Sequence, residues 1–337
     1  MLTVVLVIVL FVLLIFPHEL GHFLVAKACG VQVNEFAFGM GPAIFKHQGK
    51  ETLYSIRLVP IGGFTELEGE DTEEADDNPR AFNNKKWWQK ILVLIAGAGM
   101  NILIAAVVLT IFVGISGFVT NTLELVTPGG PAEAAGIMAG DTIVAVGDTE
   151  TAEWADVTDA LAAYLEKGET VPVTVERGGE TLSFDLTPVK NDEGRYVVGI
   201  QAKVTHDLIR SVGYGVRATG RVFVLILQGF VQIFKEGNVL ENVSGPVGMV
   251  QLVDETRDYG FSYFLYLVAL VSVNLAIFNL LPFPALDGGR IIFVIIRQIT
   301  GKAISDTVEA RVHAVGMALL LVLAAVVACN DVLRLLR

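Results

Sequence analysis

Apolar positions in this chain gather into long runs, separated by stretches with a different period. Residues 2–30 are apolar over more than the roughly 20 positions that a bilayer-crossing helix needs. Further spans are expected at residues 91–118, 261–281 and 312–329. Between the first two, residues 33–39 and 52–58 alternate at period two, as half-buried strands do. Residues 59–64, Val-Pro-Ile-Gly-Gly-Phe, read as an apolar turn. That turn is either an ordinary hairpin connection or a β-loop that returns into the membrane and offers a strand edge to an extended segment.

The remaining stretches have other characters. Residues 66–78 are strongly acidic and are expected to be a solvated loop. Residues 82–90 are basic and amphipathic, with Trp87 and Trp88 as interface anchors. Residues 119–203 lack long apolar runs. They read as a short helix from Pro131, a turn at Gly140-Asp141, a strand to Val146, a helix over 152–166, and strands near 171–177, 181–187 and 196–201. That order fits a small PDZ-type module, which binds peptide ends or strands at a sheet edge. A steric cap with no ligand of its own is equally open. Residues 208–235 place Arg210, Arg217 and Arg221 ahead of an apolar stretch of only 13 residues, 222–234, so an interfacial helix is expected there. A linking segment follows at 242–248.

The expected fold is a polytopic α-helical membrane protein with about four transmembrane helices, a membrane-associated β-hairpin region and one inserted α+β PDZ-like domain. Its parts are an N-terminal membrane part (1–118), the PDZ-like domain (119–203), an interfacial helix and linker (204–260) and a C-terminal membrane part (261–337). Composition agrees: 53% of the 337 residues are hydrophobic and mean hydropathy is +0.59. A net charge of -12 argues against nucleic acid as a partner. Two cysteines, Cys29 and Cys329, make no disulfide framework. The first 16 residues lack the basic start and small-residue cleavage site of a secretory signal, so they are expected to stay. Segments 27–90 and 286–311 hold eight and four Lys/Arg, which places both on the cytoplasmic side and residues 119–203 on the other.

Candidate chemistry centres on His18-Glu19-Leu20-Gly21-His22, inside the first apolar run. Helix positions four apart share a face, so His18 and His22 can grip one Zn²⁺, with Glu19 close enough to act as general base. Titratable groups inside a span are costly and point to function. A catalytic zinc site has three protein ligands. Asp287, in Asn279-Leu-Leu-Pro-Phe-Pro-Ala-Leu-Asp-Gly-Gly-Arg290, is the best-placed third, because a proline-broken helix at membrane depth calls for a reason. Asn279 is a plausible donor to substrate backbone or a developing oxyanion. Asn101, among the small residues 96–100, is expected to make a hydrogen bond within the helix bundle, and His313 to meet lipid headgroups.

Taken together, the His-Glu-x-x-His motif, the Gly62-Gly63 loop, the PDZ-like insert, Ser244-Gly245-Pro246 and Asn279-x-x-Pro-x-Pro-x-Leu-Asp287-Gly resemble the bacterial site-2 proteases. These are regulated intramembrane metalloproteases of the RseP/RasP type, and the likeness runs through nearly the whole chain. It implies Asp287 as third zinc ligand, Glu19 as catalytic base, and Asn274 and Asn279 near the substrate; Gly62, Gly63 and Phe64 are expected there from the strand-edge reading of their loop. It also implies cleavage of single-span membrane proteins, such as anti-sigma factors already cut once or remnant signal peptides, in the bacterial plasma membrane with the active site toward the cytoplasm. Two positions depart from the family pattern: Ala98, where proline is usual, and Glu66, where lysine is common. The rival readings are an inactive membrane adaptor that captures partners through its PDZ-like domain, and a metal transporter. An adaptor's structural zinc would need four protein ligands, and a transporter would spread ionisable groups over several spans.

Overall fold

A computed structural model describes residues 1–70, 78–236, 245–301 and 306–335. Most of the acidic run (71–77) and Asn242–Ser244 of the expected linker lie outside the described residues. The chain divides into two compact units, residues 1–112 with 212–337, and residues 113–211.

The first unit begins with α1 (Leu2–Ala28), which runs unbroken through the buried Pro17. Two long strands follow, β1 (Val33–Gln48) and β2 (Leu53–Leu67), paired antiparallel. The Val59–Phe64 stretch expected to be a turn is part of β2. Register explains this. Residues 35–38 of β1 have β2 partners on both flanks, Glu66 to Gly63 on one and Leu53 to Ile56 on the other. Each strand therefore bends and supplies two rungs, and glycines at positive φ (Gly39, Gly41 and Gly62) sit at the bends. Glu51, between the strands, accepts from Lys27 Nζ at 2.7 Å and Arg80 Nη2 at 2.8 Å and ties the end of α1 to the strands. These cations, Lys27 foremost, hold its carboxyl down at about 2.

The second long helix, α2 (Trp87–Ser116), leads out of this unit, and α5 (Leu208–Glu236) leads back into it. After them come α6 (Pro246–Asp258), α7 (Phe261–Asn279), α8 (Asp287–Thr300) and α9 (Asp306–Leu335). Among the described residues five helices are long and apolar enough to cross a membrane: Leu2–Ala28, Trp87–Ser116, Leu208–Ile233, Phe261–Asn279 and Thr307–Arg334. The additional candidate is α5. Its 29 residues extend well beyond the expected apolar stretch because Leu208, Ile209, Val212 and Val216 continue the apolar pattern among the arginines. Leu10, Leu14, Leu109, Val253, Phe264 and Val268 stand at the centre of the core that joins α1, α2, α6 and α7. Asp331, buried in α9, accepts from the backbone of Gly245 (2.9 Å) and Gly248 (2.8 Å) and so satisfies the free donors at the start of α6.

Within the second unit, β3 (Phe118–Val126), α3 (Pro131–Ala135), β4 (Thr142–Val146), β5 (Thr149–Glu150) and α4 (Trp154–Leu165) come first. Then follow β6 (Val171–Arg177), β7 (Glu180–Leu186), β8 (Val189–Lys190), β9 (Tyr196–Val197) and β10 (Ile200–Thr205). The main sheet runs β10-β3-β4-β6-β7, with β5 beside β4. Its core is Leu123, Ile137, Ile143, Val157, Val173 and Leu186. The Gly140-Asp141 turn is locked by charge. Asp141 is buried, accepts from Arg177 Nε and Nη2 at 2.7 Å each, and accepts from the Met138 amide at 2.8 Å. Arg177 holds the Asp141 carboxyl below the usual carboxylate range.

A carboxyl with a depressed native pKa stabilises the fold fully above its unfolded value near 3.9, and that contribution is lost as pH falls through the lower native value. Asp141→Asn is therefore expected to make residues 113–211 more susceptible to limited proteolysis at pH 7. The gap from the unaltered protein should close below about pH 4. An equal cleavage rate at pH 7 would show that this ion pair does not hold the turn.

Candidate active site

The apolar spacing of α1 places His18 and His22 one turn apart on its buried side. Asp287 enters as the first residue of α8, at the end of the Pro282–Leu286 turn. His18 Nε2 and His22 Nε2 lie 3.2 Å apart, and each lies 3.4 Å from Asp287 Oδ2. Tetrahedral zinc with bonds of about 2.0–2.1 Å has ligand–ligand edges of roughly 3.3–3.4 Å. The three separations match one face of such a tetrahedron. Asp287 Oδ2 is buried without a hydrogen bond among the described residues, as suits an oxygen that shares a cation with two ring nitrogens. This donor set fits Zn²⁺.

Neighbouring helices shape the triangle. His22 Nδ1 donates to the Val93 carbonyl of α2 at 2.8 Å, which fixes the tautomer and turns the Nε2 lone pair toward Asp287. Asn101 Nδ2 stands 3.5 Å from His18 Nδ1, and the Asn101 carbonyl accepts from Ser272 of α7. Asn101 therefore serves both the helix bundle and the surroundings of His18. Asn279 Nδ2 lies 3.3 Å from His18 Nε2. Space is as decisive as bonding. A Cβ on Gly21 would stand 2.3 Å from the Ala96 carbonyl, and one on Gly97 would stand 2.3 Å from His22 Nε2. These two glycines let α1 and α2 approach and leave room for both imidazoles.

Glu19 points into the same cavity, of about 340 Å³, which is also lined by Phe64, Thr65 and Arg290. Thr65 Oγ1 on β2 lies 3.1 Å from both Glu19 Oε2 and the Glu19 carbonyl. Gly63 lies against Glu19, where a Cβ would meet Glu19 Cγ at 3.2 Å. Phe64 stacks under the Arg57 guanidinium at 4.7 Å. Gly62 turns the chain at φ 94 beside Met40. Neither Asn274 nor Asn279 is among the residues that line this cavity; Asn279 reaches His18 instead. Sequence reasoning missed Val93, Thr65 and Gly97. The small-residue run 96–100 was the one signal that pointed toward Gly97.

The peptidase family M50 model matches residues 6–323. The chain belongs to peptidase family M50. Relatives provisionally named zinc metalloproteases include one of Clostridium acetobutylicum, 36% identical over 98% of this chain and 97% of its own length. One of Clostridium perfringens is 38% identical over 95% of each chain, and one of Fusobacterium nucleatum is 34% identical over 99% of each. Among solved structures, the PDZ domain of an SdrC-like protein from Listeria innocua is similar to 26% of this chain. That match covers 97% of the domain at 20% identity, with a TM-score of 0.22. This M50 member is a zinc metalloprotease and a multi-pass membrane protein.

Two glycines of α2 separate the steric claim from general helix effects. Gly97→Ala puts a methyl on the imidazoles and is expected to cut zinc retention by about tenfold or more, the scale of disturbing a ligand's surroundings. Gly99→Ala, with nothing within 4 Å of the added Cβ, should retain zinc like the unaltered protein. Zinc content of the purified proteins after dialysis against a chelator reads both.

Proposed function

We propose that this M50 member hydrolyses peptide bonds within the transmembrane segments of single-span membrane proteins, with His18, His22 and Asp287 as zinc ligands and Glu19 as general base. The observation that carries the reading is the triangle of donor atoms at 3.2–3.4 Å, with a carboxylate beside it that is not one of the three. A structural zinc would be closed by a fourth protein ligand, and no other His, Cys, Asp or Glu joins the cluster among the described residues.

When bound, Zn²⁺ supplies Lewis acidity, lowering the pKa of water toward about 7 and polarising the scissile carbonyl. Glu19 accepts the proton of the attacking water at its carboxylate and passes it to the leaving amine. Thr65 donates to Glu19 Oε2 and holds that carboxylate in one rotamer. Asn279 presents an amide N–H₂ beside His18, where it can donate to the substrate carbonyl as negative charge develops. A helical substrate has its peptide groups hydrogen-bonded to itself and must unwind before water can attack. The β2 segment Gly62–Phe64, adjacent to Glu19, offers backbone donors and acceptors to an extended segment.

Membrane proteins trimmed by an earlier cut, such as anti-sigma factors or remnant signal peptides, are the substrate class that the site-2 protease likeness implies. The Lys/Arg distribution supports an active site toward the cytoplasm and residues 119–203 on the opposite side. On that side the β-rich unit would bind a peptide or a substrate ectodomain.

Glu19→Gln keeps the three donor atoms and removes the base. It should retain stoichiometric zinc while cleavage of a model transmembrane peptide falls about 10²- to 10⁴-fold. Asp287→Ala should lose both zinc and cleavage. Full cleavage by Glu19→Gln would remove the protease mechanism and favour an adaptor.

A further inference from the structure

The Pro282–Leu286 turn, which delivers Asp287, contains the only described non-glycine residue at positive φ, Ala285 (φ 77). An alanine takes that left-handed conformation only when its surroundings impose it. The turn is closed locally by the Leu286 amide, which donates to the Phe283 carbonyl at 3.2 Å across Pro284-Ala285, and α9 adds a second constraint. The Ala285 amide donates to His313 Nδ1 at 2.8 Å. One turn on, Gly316 lets the helix sit against Pro284, where a Cβ would lie 2.5 Å from Pro284 Cβ and 2.6 Å from its carbonyl oxygen. An accepting Nδ1 requires the tautomer with its proton on Nε2, and Nε2 faces Glu309 at 3.9 Å. Glu309 in turn pairs with Arg297 of α8 at 2.7 Å. The imidazole ring also lies against Phe293 of α8, with ring centroids 5.5 Å apart. His313 is thus held on two sides, with one lone pair aimed at a backbone donor two residues before Asp287.

We infer that His313 is a positioning residue for the zinc centre: by accepting from the Ala285 amide it locks the left-handed turn that points the Asp287 carboxylate at the two imidazoles. It is not one of the three donor residues and acts through the backbone of the turn. The inference rests on Asp287 being a ligand. A lipid-facing or headgroup role for His313 would not need this acceptor geometry, and a packing role alone would not depend on which atom the side chain presents.

The test uses the full-length protein in detergent and reads zinc retention against a chelator, with thermal unfolding alongside. His313→Leu is expected to shorten zinc retention about tenfold or more, as loss of a ligand-orienting partner does. His313→Asn places an accepting Oδ1 the same number of bonds from Cα as Nδ1 and should restore most of the retention. Ala285→Gly, added to His313→Leu, should also restore part of it, because glycine adopts positive φ without help. Unchanged retention in His313→Leu, an Asn variant as damaged as the Leu variant, or no gain from Ala285→Gly would each overturn the inference. Asp287→Ala in the same assay separates the two claims. Zinc retained there sinks the ligand assignment itself, whereas zinc lost there but held in His313→Leu sinks only the role of His313.

Discussion

The structure depends on the close approach of α1 to α2. Two imidazoles and a carboxylate occupy a volume in which their donor atoms lie within 3.4 Å of one another, inside a bundle made almost entirely of hydrocarbon. Such groups persist at membrane depth only where something satisfies each of them. Gly21 against the Ala96 carbonyl, and Gly97 beneath the imidazoles, bring the Val93 carbonyl within reach of His22. The close approach of the two helices and the tautomer of His22 thus follow from the same two glycines.

The remaining elements serve that contact in different ways. β2 runs beside α1 and supplies Thr65 to Glu19, so the proposed base is held by the same strand that is proposed to receive an extended substrate. α7 bonds to α2 through Ser272 and the Asn101 carbonyl and ends at Asn279, beside His18. α8 begins with Asp287. Gly288 and Gly289 lie so near the Leu281 and Phe283 carbonyls that a Cβ would stand 2.2 and 2.3 Å from them, which explains why two glycines follow the carboxylate. His22 and Glu19 are therefore each oriented by a partner on another element, Val93 and Thr65, the arrangement that keeps a small site rigid.

Legibility in the sequence followed the range over which each signal acts. The His18–His22 pair was readable because helical period puts both on one face, and Asp287 because prolines break an apolar run just before it. The strands of residues 171–177 and the helix near 152–166 were readable from local alternation and apolar spacing. Residues 59–64 looked like a turn because Pro60, Gly62 and Gly63 are turn formers. They lie instead in a bent strand, where Val59, Gly63 and Phe64 pair with Met40, Phe38 and Ala37, 19 to 27 positions away, and that pairing overrides local propensity. The Val93 carbonyl carries no side-chain signal at all. His313 and Thr65 are single polar residues, and their partners depend on the rotation of whole helices and strands. In nearly uniform apolar helices, sequence says little about which face meets which neighbour.

That contrast bears on why the turn before Asp287 needs support from α9. A carboxylate on a regular helix would be aimed by the helix, as His18 and His22 are. Asp287 sits at the very first position of α8, where the preceding backbone is free of helical hydrogen bonds and includes a residue in a disfavoured conformation. The direction of its side chain is therefore only as fixed as the turn. Two backbone bonds close the turn locally, so the added bond from the Ala285 amide to His313 counts for more here than it would in the middle of a helix, where more neighbouring bonds would share the constraint.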